Sequence, residues 1–382
     1  MKIGILTQPL QNNYGGLLQN YALQQVLKGI GHEPVTIDWN ATSSLREKLW
    51  RVKQNILFKL GVKGVKKPLY YPNKADKAVI SRNTDYFISK YISKTQTITS
   101  ESDFSKVVLE LNCGAFVVGS DQVWRPGYNG FPKAMFLDFT DGMKVKRIAY
   151  AASFGTSVWE FSAELTKDCA RLAKKFDLIT VREKSGLNLC REHFGVEATW
   201  VLDPTMLLNR EDYEKVVFLE KEPRSEGTLF HYILDPDDEK KSLIEKVADE
   251  MNMKPFTIMP KYQAENRTKE DVKKRIEDCV FPSVTSWLRS FMDAKMVIVD
   301  SFHGAVFSII FNKPFWVIGN KGRGNARFES LLSLFNLNNR FVDNPGTIDI
   351  DIDSSIDWDA VNAIRKKEIE KSLYLLNKGL NK

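Results

Sequence analysis

The sequence predicts an α/β protein built from two parallel-sheet domains, and three observations carry that prediction. Short runs rich in Val and Ile alternate with segments of helical periodicity, which is the signature of βαβ units. At 382 residues the chain is too long for one ordinary core and comfortable for two. The strand–helix alternation also restarts after Pro204.

Element by element, KIGILT (2–7) reads as a first strand. Residues 16–30 follow as a helix, with Leu17, Leu18, Tyr21, Leu23, Val26 and Leu27 at helical spacing. Gly31 suits the position just past that helix, and PVTIDW (34–39) completes a βαβ unit. Strands are expected at 115–120, 147–153, 177–183 and 199–204. The second half gives strands at 227–234, 255–260, 296–301 and 314–319, with helices at 238–251, 283–293 and 303–312. The expected domains are therefore 1–205 and 206–356, Rossmann-like units facing across a cleft. The remainder, 357–382, is a helix expected to pack back on the first domain.

The segment 44–67 interrupts this order. Leu45, Leu49, Val52, Ile56 and Leu60 form an apolar stripe interleaved with Arg and Lys, beside Trp50. Two readings fit: peripheral contact with an anionic membrane, or packing on the domain edge with a solvated basic face.

Composition is that of a globular protein, 43% hydrophobic and 27% charged. No apolar run approaches the roughly 20 residues that cross a bilayer, and the first strand is too short for a signal peptide core. A cytoplasmic protein is expected, peripheral at the inner face of the membrane if 44–67 touches lipid. Four scattered cysteines without CxxC spacing suggest buried thiols rather than a zinc site or disulfides. The net charge of +7 suits a polyanion, an anionic surface or a phosphorylated substrate. No nucleic-acid-binding signature accompanies it, so nucleic acid is not an expected partner.

Parallel sheets bind ligands at the carboxyl ends of their strands, and four such places carry chemistry. After the first strand come Asn12, Asn13, Tyr14, a Gly pair and Gln19, which suit sugar hydroxyls and ring faces, or equally a capped turn. GSDQVWR (119–125) gathers Asp121, Trp124 and Arg125, either a sugar platform or a cap followed by a buried Trp. Arg182 ends a buried strand, where a guanidinium grips a carboxylate or phosphate, or pairs with a nearby acid. In DSFHG (300–304), His303 lies beside the Gly304 amide at a helix start, a place for an anion and a general acid. The alternative there is that Asp300 or Ser301 caps the helix and His303 fills a polar gap. NKGRGNAR (320–327) adds a cationic loop with Lys321, Arg323 and Arg327. The histidines lack ligand spacing, so neither metal nor cofactor is expected.

Taken in order, KIGILTQPLQNNYGGLLQNYAL, FVVGSDQVWRP, RIAYAASFG, ITVREKSG, VLDPTMLL and VDSFHGAVFSIIFNKPF resemble the polysaccharide pyruvyl transferase family, from residue 2 to about 315. The resemblance implies a GT-B-like fold and transfer of a pyruvyl group from phosphoenolpyruvate to a cell-envelope sugar, as a ketal. The acceptor would be a glycan of an exopolysaccharide or capsule, or its lipid-linked precursor. It matches His303 to the family's histidine and Arg182 to its strand-end arginine. The donor side would then comprise Arg182, Ser301, Gly304, Lys321 and Arg323. The acceptor side would comprise Asn12, Asn13, Tyr14, Gln19, Asp121, Trp124 and Arg125. Many members carry arginine where this chain has Ser301, and Lys321, Arg323 and Arg125 are the candidates to supply that charge. A nucleotide-sugar glycosyltransferase and a catalytically silent glycan-binding homologue are the alternatives.

Overall fold

The computed structural model describes residues 1–40, 53, 56, 57, 60, 72–264, 267–320, 322, 324–346 and 355–381. The basic stripe of 44–67 and both Lys321 and Arg323 thus lie outside the described residues, four positions of the stripe excepted.

Two parallel sheets form the frame. The first has six strands in the order β2-β1-β3-β4-β5-β6: β1 Lys2–Leu6, β2 Glu33–Thr36, β3 Ala115–Val118, β4 Lys146–Ala152, β5 Leu178–Val181 and β6 Thr199–Trp200. The second has five, in the order β11-β10-β9-β7-β8: β7 Leu229–Tyr232, β8 Pro255–Phe256, β9 Met296–Val299, β10 Phe315–Ile318 and β11 Phe341–Val342. β3, β9 and β10 are buried along their whole length, as expected of parallel strands covered on both faces.

The strand order fixes where a ligand crevice can open. In the first sheet the chain moves from β1 outward to β2, then returns to the other side of β1 at β3. The second sheet repeats this around β7, with β8 on one side and β9 on the other. Each reversal is a topological switch point, where the loops diverge and leave a crevice. A helix starts at each: Tyr14–Gly29 after β1 and Phe302–Ile310 after β9.

The two halves share one apolar core. It runs from Ile3 and Leu17 through Tyr14 to Trp287, Val299 and Phe307. Tyr14 stacks on Trp287 at 5.8 Å and donates its hydroxyl to the Pro282 carbonyl at 3.0 Å. A second connection is made by Asn83, whose side-chain amide donates to the Phe281 carbonyl at 2.8 Å. The final helix, Trp358–Asn381, returns to the first sheet: the Ser372 hydroxyl accepts the Leu202 amide at 3.2 Å, and Gly379 lies against Leu178 and Ile148.

Two expected strands are much shorter than their apolar runs. In TWVLDP only 199–200 pair, because Asp203 turns the chain into a 3-10 turn over Pro204–Leu207. In PFTIMP only 255–256 pair, at an edge where nothing continues the ladder. All four cysteines are buried and none is bonded to another. Among the described residues, no helix is long and apolar enough to cross a membrane.

Candidate active site between the two domains

A cluster of buried charge sits where the two switch points face one another. Its hub is Arg182, which follows β5 and is 3% exposed. One guanidinium nitrogen donates to Asp203 Oδ2 at 2.9 Å and the other to Asp121 Oδ1 at 2.8 Å. The guanidinium also lies 4.4 Å from the centre of the Phe302 ring. Three strand ends of the first domain and one helix start of the second thus meet on a single cation.

Asp203 is held from every side. Its Oδ1 accepts the Thr205 amide at 3.0 Å and hydroxyl at 2.7 Å, capping the turn that follows. Its Oδ2 accepts the Ser120 hydroxyl at 2.8 Å as well as Arg182. His303 Nε2 stands 3.6 Å from that same oxygen, an ion pair whenever the imidazole is protonated. Burial alone would raise the Asp203 carboxyl, but His303 and Arg182 outweigh it and hold it far below the usual carboxylate range. Asp121 is likewise opposed by burial and lowered by Arg182, His303 and Arg327. Both carboxylates are therefore ionised at neutral pH. Asp121 also has a φ of 69°, an uncommon conformation for a non-glycine residue that often marks functional positions.

His303 is seated by an absence of side chain. A Cβ on Gly15 would lie 2.1 Å from His303 Nδ1, so only glycine at that helix start admits the ring. A second such contact closes the seam further along. Gly324, at φ 89°, approaches Gly155 so closely that a Cβ would stand 2.0 Å from its carbonyl oxygen. That contact delivers the start of helix Ala326–Leu334, and with it the buried Arg327, to the charge cluster. Arg327 lies 5.8 Å from the Phe302 ring, near Arg182, Asp121 and Glu183. Burial, reinforced by the like charge of Arg182, pulls its guanidinium down to about 10. Glu183, fully buried, accepts the Phe154 amide at 2.7 Å and has its carboxyl pushed up by desolvation.

Of the residues singled out from the sequence, Asp121, Arg182 and His303 converge here. Others point elsewhere, and three are corrections. Trp124 is 1% exposed, stacks on Phe136 at 4.9 Å and donates to the Met135 carbonyl, so it is a core residue and no sugar platform. Tyr14 is buried in the interdomain core because its ring completes the Trp287 stack. Ser301 caps helix 302–310, its hydroxyl accepting the Gly304 amide at 3.0 Å, which takes that amide away from any phosphate. Arg182 pairs with Asp121 and Asp203, the nearby-acid alternative read from the sequence.

The polar residues after β1 serve local structure. Asn13 caps the helix at Gly16, Asn12 accepts the Thr84 hydroxyl, and Gln19 accepts the Ser120 amide at 2.9 Å. Arg125 makes a two-pronged pair with Glu160. Sequence reasoning missed the roles of Asp203 and Gly15. The first lay hidden in an apolar run taken for a strand, the second in a Gly pair taken for a turn. Among the described residues, no three His, Cys, Asp or Glu side chains gather as metal ligands.

Two facing α/β domains with a charged seam at their switch points define a two-domain α/β protein with an interdomain site. The chain belongs to the polysaccharide pyruvyl transferase family, whose model matches residues 13–322. No curated protein matches the sequence. Similar solved structures include UDP-GlcNAc 2-epimerase from Methanocaldococcus jannaschii, at TM-score 0.47 and 12% identity over 100% of this chain and 93% of that one. UDP-GlcNAc 2-epimerase from Neisseria meningitidis gives 0.44 and 12%, over 97% and 100%. The spinosyn forosaminyltransferase SpnP gives 0.44 and 12%, over 97% and 95%.

Proposed function

We propose that this member of the family transfers the pyruvyl group of phosphoenolpyruvate to two hydroxyls of an envelope sugar. The observation that carries the reading is the placement of His303 between both switch points, with Asp203 at its Nε2. An imidazole held against Gly15 with a buried carboxylate 3.6 Å from its Nε2 is a group that general acid–base catalysis can use.

The chemistry balances around one carbon. A proton is added to the methylene carbon of the donor, making a methyl group and leaving C2 electron-poor. Two sugar oxygens bond to C2 in turn, while the C2–O bond to phosphate breaks with its electron pair going to phosphate. The two hydroxyl protons balance the methyl group and the hydrogen phosphate released. His303 is the group proposed to move these protons. Arg182, held by two carboxylates, is better suited to fixing Asp121 and Asp203 than to gripping the donor. Arg327 is the cation proposed for the task that Ser301 cannot perform, because it brings a guanidinium from the second domain to the same junction.

A second reading keeps one observation in its favour. The Arg182 guanidinium and the Gly304 amide are both engaged within the protein, as they would be in a silent glycan-binding homologue. The two separate by incubating the protein with phosphoenolpyruvate and lipid-linked sugars, following phosphate release and the mass of the product. Turnover in the wild type, reduced about 10²–10⁴-fold in a folded His303→Gln variant, is expected for loss of a general acid–base. Wild-type turnover in that variant would assign His303 a structural role. Thermal stabilisation by nucleotide sugars but not by phosphoenolpyruvate would defeat the pyruvyl reading.

A further inference from the structure

The loop after β3 carries an aromatic ring that neither the core nor the charge cluster uses. Tyr128 is 44% exposed, although it closes a tight 3-10 turn, Pro126–Tyr128. Arg125 covers one side of the ring, its guanidinium carbon 4.4 Å from the centroid. Among the described residues no aromatic ring packs against Tyr128.

The turn under this ring is rigid. Pro126 fixes its first position, and the Asn129 side-chain amide donates to the Val123 and Arg125 carbonyls at 2.7 and 2.9 Å. Gln8, from the end of β1, donates to Asn129 Oδ1 at 2.9 Å and to the Gln122 carbonyl at 2.8 Å. Arg125 is itself fixed by Glu160, with bonds of 3.0 and 3.1 Å. The ring is tied to the charge cluster through Arg125, which donates to Gln122 Oε1 at 3.1 Å, and Gln122 follows Asp121 directly in the chain.

We infer that Tyr128 is a stacking platform for a sugar ring, presented on the first domain beside the interdomain charge cluster. A half-exposed aromatic ring with a guanidinium held against it has little freedom left to lose on binding. Gln8 is bonded to Asn129 beside the turn, and Gln122 and Glu160 to Arg125, so the platform is bordered by amide and carboxylate groups of the kind that meet sugar hydroxyls. The inference names the acceptor subsite of the proposed function, and in that sense rests on it. It also replaces Trp124, which the core has taken.

The test uses binding and turnover separately. The full-length protein is titrated with p-nitrophenyl glucoside, galactoside, mannoside and N-acetylglucosaminide, and contacts are read by saturation-transfer NMR. At least one glycoside is expected to receive saturation on its ring protons. Its affinity should fall about tenfold or more in Tyr128→Ala, the loss of roughly 1.4 kcal/mol, and be retained in Tyr128→Phe and Tyr128→Trp. Binding of no glycoside, or unchanged binding in Tyr128→Ala, overturns the inference. In the turnover arm, Tyr128→Ala should raise the acceptor KM while leaving the KM for phosphoenolpyruvate unchanged. Sugar binding that depends on Tyr128, in a protein releasing no phosphate from phosphoenolpyruvate, would keep the platform and sink the pyruvyl reading.

Discussion

Trp124 and Arg182 lie at the ends of neighbouring parts of one sheet, and their sequence neighbourhoods look alike. Each follows a buried strand and sits among polar or charged residues. Their fates are opposite. Trp124 turns inward, to a stack with Phe136 and an aromatic cluster that includes Phe154 and Phe194. Arg182 is just as buried, but beside the Phe302 ring it meets two carboxylates. The difference lies in what a side chain needs on leaving water. An indole needs one acceptor, which Met135 supplies. A guanidinium needs several, so its burial forces acidic groups from separate strand ends to one point. Buried charge therefore marks a convergence that a buried ring does not.

That contrast can be broken most forcefully at Arg182. Arg182→Ala leaves Asp121 and Asp203 buried without their counter-ion, and a loss of about 3–5 kcal/mol is expected in urea unfolding. Trp124→Ala should cost a similar amount, about 3–5 kcal/mol, through the cavity it leaves. The two separate on rescue: adding Asp121→Asn and Asp203→Asn should recover much of the Arg182→Ala loss and none of the Trp124→Ala loss. Equal behaviour in both would erase the distinction.

Gly15→Ala probes the seam. The new methyl must displace the His303 ring, and a displacement near 1 Å is expected to lower turnover about 10²-fold. The melting temperature should change much less than in Arg182→Ala. An unaltered rate would mean that His303 need not sit where it does.

The pH dependence of stability sharpens the same comparison. Asp121 and Asp203 have carboxyls lowered from their ordinary value in the fold. Such groups contribute stability that is fully present above the unfolded value, about 3.9, and is lost as pH falls below it. Urea midpoints should therefore drop below about pH 4, more shallowly in Asp203→Asn, and Trp124→Phe should leave that slope unchanged. The smallest effect is expected at Ser301. Ser301→Ala removes a helix cap worth about 1 kcal/mol and should not alter the KM for phosphoenolpyruvate.

Much of the frame was legible in the chain because each strand of a parallel sheet is an apolar run of its own. Helix 14–29 with its Gly31 stop, helix 238–250 and the β9–helix–β10 unit all fall within a few residues of their expected positions. The helices 82–91 and 163–173 were not anticipated: their faces are mostly polar, so the apolar stripe is thin. At the site, the sequence could point to Asp121, Arg182 and His303, each of an unusual residue type at a strand end. It could not point to Gly15, whose value lies in what it leaves out, or to Asp203, whose partners come from four separate segments. The cation proposed for the task Ser301 cannot perform, Arg327, was visible only as part of a basic loop, because its destination depends on the Gly155–Gly324 contact.

The seating of one imidazole against Gly15 has a spectroscopic consequence. The chain has four histidines. His32 lies beside the N-terminal amine, His193 stacks on Trp159 and His231 is within β7. Among the described residues, His303 is the histidine seen to touch both domains. Its Cε1 proton should therefore give one resolvable resonance that moves when the seam opens or an anion enters. The other three should stay in place, an internal reference for every titration.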